Sequence, residues 1–216
     1  MAAVTQPNAA GSFPASVGAM TVEQLQKLIV AAVSLAAASG KAEGRPQTAE
    51  SIGESAQSLA GHVLEGLRTT ERGINEPDHS WKRRILWVDD RPENNVYERS
   101  AFESLGLEFT LALSTKQALD TLSKNQFAAI ISDMGRKEGP REGYVLLEAV
   151  RATNSNTPFF IYAGSNAPAH KREAIARGAQ GTTNRVQELF DMVIQALPSV
   201  DKGHDLRAQP PPASRT

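Results

Sequence analysis

The sequence predicts an α/β fold, a doubly wound parallel sheet of five strands behind an N-terminal pair of helices. Three observations carry this expectation. From Ile85 onward, short apolar runs alternate with amphipathic stretches. The first of them, Ile85-Leu86-Trp87-Val88, is apolar throughout rather than at every second residue, as strands covered on both faces are. Ahead of them, two long helical patterns are separated by a short polar connection.

Residues 1–20 are rich in Ala, Gly, Ser and Pro and hold almost no large apolar side chains, so they read as a disordered tail. A helical hairpin is predicted over 21–70. Thr21-Val22-Glu23-Gln24 has the form of a capping box, in which hydroxyl and amide side chains satisfy each other's orphan N–H groups. The helix it opens should run to Ser39 and stop at Gly40. A polar connection from Lys41 to Pro46 leads to a second helix, Thr48 to Thr70, whose Ile52, Ala56, Leu59, Val63 and Leu67 share one face. One hairpin buries little surface alone, so it must pack on the following domain or pair with a second copy as a homodimer. The polar stretch over 71–82 reads as a linker.

The main domain is predicted over 83–198. Ile85-Leu86-Trp87-Val88 is the first strand and ends in Asp89-Asp90. A helix from Pro92 to Ser104 follows, with proline suited to a first turn. Glu108 to Leu113 is the second strand, and Ser114-Thr115-Lys116-Gln117 is a second capping box opening a helix to Ser123. Phe127 to Ser132 is the third strand, ending at Asp133. Then come a helix from Gly143 to Ala152, a strand from Pro158 to Ala163, and a helix from Ala169 to Arg177 that closes on Gly178. Gln180 to Thr183 is the last strand, and Gln187 to Leu197 the last helix, stopped by Pro198. Residues 199–216, with Pro210, Pro211 and Pro212, read as a second disordered tail.

Bulk composition removes several classes of function. A net charge of -1 argues against nucleic acid as a partner, since phosphate neutralisation needs a basic excess. With no cysteine there is neither a disulfide nor a thiolate metal site, which suits a cytoplasmic protein. The most apolar run, Leu28 to Ala38, is far short of the roughly 20 residues that span a bilayer, so no membrane partner is expected.

Chemistry concentrates in the strand-end acids. In a sheet of flavodoxin-like order, 2-1-3-4-5, strands one and three are neighbours, and ligands sit beyond the strands' carboxyl ends. Asp89, Asp90 and Asp133 therefore converge at one rim. Carboxylates held so close call for a partner charge, and an all-oxygen set suits magnesium (Mg2+).

These residues resemble the receiver domain of two-component response regulators. The resemblance is carried by Val88-Asp89-Asp90, Ile130-Ile131-Ser132-Asp133, Gly143 with Val145-Leu146-Leu147, Gly178-Ala179-Gln180-Gly181, and Arg185. It implies that Asp133 accepts a phosphoryl group from a histidine kinase or histidine phosphotransfer protein. It implies that Asp89, Asp90, Asp133 and the carbonyl of Gly135 hold the metal. It also implies a signalling role rather than an enzymatic one, with output through contact with a downstream protein partner.

Two positions depart from the family pattern. Ala163 stands where the resemblance implies a hydroxyl, and Ser165 serves there only if the loop shifts. Arg185 replaces a lysine as the phosphoryl contact, followed by Val186 in place of proline, and Thr182 stands at the switch aromatic. The loop Met134 to Glu142 is long and carries Arg136, Lys137 and Arg141, which either meet an acidic partner or phosphoryl group or are simply solvated. These departures keep open an alternative, a phosphorylation-independent pseudo-receiver acting as a protein-binding adaptor. A phosphohydrolase of aspartyl-phosphate type is disfavoured, because Gly135 stands where a second acid is needed. His62 lies in a segment faintly similar to phosphotransfer helices, but Glu65 occupies the place of their lysine, and a surface histidine is the reading kept.

Overall fold

The computed structural model describes residues 21–44, 48–71, 77–153, 155–165 and 167–197. Both predicted tails, Arg45 to Gln47 of the hairpin connection, the centre of the linker and the stop at Pro198 lie outside these residues.

Helix α1 spans Val22–Ala42 and is opened by the predicted box: the Gln24 amide donates to Thr21 Oγ1 at 3.2 Å, and the Thr21 amide donates to Gln24 Oε1 at 2.9 Å. Gly40 does not stop it. The left-handed residue that ends a helix is Gly44, with φ 65°, so α1 gains the part-turn that holds Lys41. Helix α2 spans Ala49–Glu71. It begins where Thr48 Oγ1 accepts from the Ser51 amide at 3.2 Å.

The hairpin packs on the rest of the chain. Leu28, Leu35 and Ala36 of α1 and Leu59, Val63 and Leu67 of α2 are buried in one apolar cluster with Trp87, Phe102 and Phe190. Burying a leucine or valine is worth roughly 1.5–3 kcal/mol, against about 0.5–1 kcal/mol of lost side-chain freedom, so these contacts are net stabilising. Ile52 sits partly buried at the margin of the same cluster.

Between hairpin and sheet, Pro77–Arg83 winds as a 3₁₀ turn within the predicted linker. Five parallel strands follow: β1 Arg84–Val88, β2 Glu108–Ala112, β3 Ala129–Ser132, β4 Phe159–Tyr162 and β5 Gly181–Thr183. Their order is β2-β1-β3-β4-β5, the predicted flavodoxin-like arrangement. The helices between them are α3 Val96–Glu103, α4 Thr115–Leu122, α5 Glu142–Ala152, α6 Pro168–Ala176 and α7 Val186–Ala196. A 3₁₀ turn at Pro92–Asn95 precedes α3, so that helix starts later than its proline suggests. The second box forms by half: Ser114 caps the Gln117 amide, while Gln117 Oε1 takes the Leu113 amide instead.

Strand alternation divides the core in two. Ile85, Trp87, Ile131 and Phe160 face the hairpin, α3 and α7. Leu86, Val88, Ile130, Phe159 and Ile161 face the opposite layer with Leu146 and Leu147 of α5. Trp87 meets Phe109 and Tyr162 edge-on, at 5.8 and 6.1 Å between ring centres. Among the described residues no helix is long and apolar enough to cross a membrane.

Candidate functional site

The register of β1 against β3 pairs Val88 with Ser132, so the residues that follow each strand emerge side by side. One carboxylate oxygen from each of Asp89, Asp90 and Asp133 lies within 4.8 Å of the others. The three predicted acids therefore converge.

Each carboxylate is oriented by the local chain. Asp89 is buried: Oδ1 accepts from the Arg91 amide at 2.7 Å and Oδ2 from Asn95 Nδ2 at 2.5 Å. Asp90 Oδ2 accepts from the Lys137 amide at 3.1 Å, which ties the first acid loop to the third. Asp133 Oδ1 accepts from the Met134 amide at 2.7 Å, and among the described residues no hydrogen bond reaches its Oδ2. Burial, then the neighbouring Asp89 charge, push the Asp133 carboxyl up to about 6, against the pull of the Met134 amide and Arg136.

The donor set is all oxygen and carries an excess of negative charge, which fits a hard divalent cation such as Mg2+. Gly135 lines the same cavity, and among the described residues no hydrogen bond ends on its carbonyl. The carbonyl is thus available as a fourth protein ligand.

No protein-family model and no curated protein matches the chain. Solved structures do. The receiver domain of the Francisella response regulator 1452 is 25% identical, with 53% of this chain and 96% of that one covered at a TM-score of 0.49. The chemotaxis response regulator CheY4 of Vibrio cholerae is 24% identical, with 51% and 97% covered at 0.45. A two-component response regulator from Clostridium difficile is 19% identical, with 53% and 94% covered at 0.46. The chain is similar to response-regulator receiver domains. The similarity takes in half of this chain and nearly all of each neighbour.

Two residues expected at such a receiver site are not brought to it. The Arg185 side chain is 63% exposed and pairs with Glu188, Nη1 to Oε1 at 3.1 Å. Its amide donates to Thr183 Oγ1 at 3.0 Å, and Asn184 lines the cavity where Arg185 does not. Ser165 shares a hydrogen bond with His170 Nδ1 at 2.8 Å on the exposed loop before α6. Ala163, with no hydroxyl, follows β4 and lines the cavity beside Tyr162 and Gly164.

The loop after Asp133 is built around Arg136. Its side chain is fully buried: Nη1 donates to Ser132 Oγ and the Asp133 carbonyl, both at 2.8 Å, and Nη2 donates to Thr115 Oγ1 at 2.6 Å. Of the three basic residues read as partner-facing or solvated, Arg136 is thus a strut beneath the acid loop. Arg141 pairs with Glu173 and lies over the Tyr144 ring, 5.1 Å from its centre. Lys137 is exposed and lines the cavity. Gly143 lets α5 start directly under this loop, since a Cβ there would stand 3.0 Å from the Asp133 carbonyl oxygen and Met134 Cα.

Sequence reasoning missed part of the cavity, whose volume is about 580 Å³. Glu98 and Tyr162 line it, with Tyr162 Oη donating to Glu98 Oε1 at 3.3 Å. Glu98 is buried and its Oε2 is unpartnered; burial raises its carboxyl above the usual range, against the pull of Tyr162 and Lys41. A glutamate within an amphipathic helix carries no local signal of burial. The asparagines at 94 and 95 were legible in principle, lying just past an acidic strand end in the loop that such folds use for ligands.

Proposed function

We propose that this chain is a signalling receiver that takes a phosphoryl group on Asp133. The observation that supports it is the meeting of three carboxylates with Asp133 Oδ2 left free of hydrogen bonds among the described residues. The donor is a histidine kinase or histidine phosphotransfer protein. Asp133 Oδ2 attacks phosphorus, the P–N bond to the donor imidazole breaks, and the imidazole leaves with the bonding pair and is neutralised by a proton.

Mg2+ would be held by Asp89, Asp90, Asp133 and the Gly135 carbonyl, and when bound it neutralises charge on the transferring group. The chain's own residues supply position. The Met134 amide fixes one Asp133 oxygen and so aims the other. The Asn95 amide and Arg91 backbone hold Asp89 rigid. Arg136 keeps the loop from moving as charge builds. The protein turns over no metabolite, works in the cytoplasm, and signals by changed contact with a protein partner.

Incubating the full chain with Mg2+ and acetyl phosphate tests the reading. Intact mass should rise by one phosphoryl group in wild type and stay unchanged in Asp133→Asn. A second reading, the phosphorylation-independent adaptor, is favoured by Ala163 at the cavity and by Arg185 turned to Glu188. An unchanged wild-type mass selects it.

A further inference from the structure

The receiver-type cavity lacks the cation that its own last strand was expected to provide. Arg185 is engaged with Glu188 and lies off the cavity. A phosphoryl group arriving on Asp133 would bring negative charge into a space already lined by Asp89, Asp90 and Glu98. One divalent metal offsets only part of this.

Helix α1 fills the gap from another part of the fold. Ala38 and Lys41, three apart and so on one helical face, both line the cavity. Lys41 Nζ reaches across 53 residues of sequence to the Asn94 carbonyl, 2.7 Å away at the cavity rim. The buried Glu98 carboxyl lines the same cavity, and the Lys41 charge acts on it. Arg91, Arg136 and Lys137 also line the space, but from the loops that carry the acids, and Arg136 is buried and already committed to Ser132, Asp133 and Thr115. Lys41 is exposed, on a flexible stem, and its hydrogen bond to the neutral Asn94 carbonyl is weaker than one to a phosphoryl oxygen.

We infer that Lys41 is the phosphoryl-binding cation of this site, supplied by the N-terminal hairpin in place of a strand-five side chain. The inference rests on Asp133 as acceptor and assigns the hairpin a role: α1 carries a residue that touches the modified aspartate. Phosphorylation therefore tightens α1 on the cavity, and loss of phosphate returns Lys41 to the Asn94 carbonyl.

The test uses the full chain, Mg2+ and acetyl phosphate, following phosphoryl gain by intact mass. Lys41→Ala should slow it about tenfold or more, the loss of one charge-assisted hydrogen bond, with an unchanged urea midpoint. Lys41→Arg should restore most of the rate, which a merely structural role would not predict. A readout without any variant accompanies this: in wild type, amine acylation of Lys41 should be slower after phosphorylation, relative to Lys116. Equal rates in wild type and Lys41→Ala, or equal acylation before and after phosphorylation, overturn the assignment of Lys41 while leaving Asp133 standing. A wild type that gains no phosphate overturns the acceptor reading itself, and Lys41 with it.

Discussion

The amide of Asp133 donates to the carbonyl of Val88 across 2.9 Å, and this bond sets the third acid beside the first two. It continues the β1–β3 ladder one residue past the end of β3, so the acceptor's backbone is as fixed as a strand residue while its side chain is half-buried. The Asp89 amide does the same on the other side, donating to the Ala112 carbonyl at 2.9 Å. Both acid loops therefore start from rigid points.

The raised Asp133 carboxyl makes metal-free stability depend on pH. Its folded value, about 6, lies above the ordinary 3.8, so the folded state holds the proton more tightly. That contribution is complete below about pH 4 and is lost as pH rises through 6. The groups facing it are Asp89, Asp90 and Arg136. Relative to wild type, Asp133→Asn should gain stability between pH 4 and 7, on the order of 1 kcal/mol once solvent screening of a half-buried group is allowed for. Urea unfolding across that range checks it. Saturating Mg2+ should shrink the difference, because wild type with its third carboxylate binds the ion more tightly and is stabilised more.

Arg136 is expected to be a structural requirement. Arg136→Ala removes the donor to Ser132 Oγ and Thr115 Oγ1 and one of two donors to the Asp133 carbonyl, and opens a buried space, costing about 2–4 kcal/mol in urea unfolding. Arg136→Lys should recover little, since an ammonium lacks the planar fork that spans the three oxygens.

Gly143→Ala tests the close approach beneath the acid loop. The added Cβ meets backbone atoms at 3.0 Å, which cannot swing aside as a side-chain tip can. The expected cost is about 1–3 kcal/mol by chemical denaturation, with slower phosphoryl gain because the loop must lift.

Hairpin and sheet should unfold together. Leu35 is fully buried in the cluster that holds Trp87 and Phe190. Leu35→Ala should lower stability by about 2–5 kcal/mol, with tryptophan fluorescence and helical circular dichroism changing at the same denaturant concentration. Two separate transitions would show that the hairpin is an independent unit.

The strand order, the capped starts of the first two helices and the three convergent acids were legible because they depend on local pattern: apolar runs, capping residues and acids placed just past strand ends. Asp89, Asp90 and Asp133 needed only the rule that neighbouring parallel strands end at one rim. Arg185, Ser165 and Lys41 were decided by tertiary structure. A side chain at a strand or helix end can turn either way, and nearby partners choose: Glu188 takes Arg185 and His170 takes Ser165. Lys41 reaches the cavity because α1 runs past Gly40 and packs on α3, a long-range contact that no spacing in the sequence encodes. Sequence determined where the negative charge gathers; packing decided which positive charge stands over it.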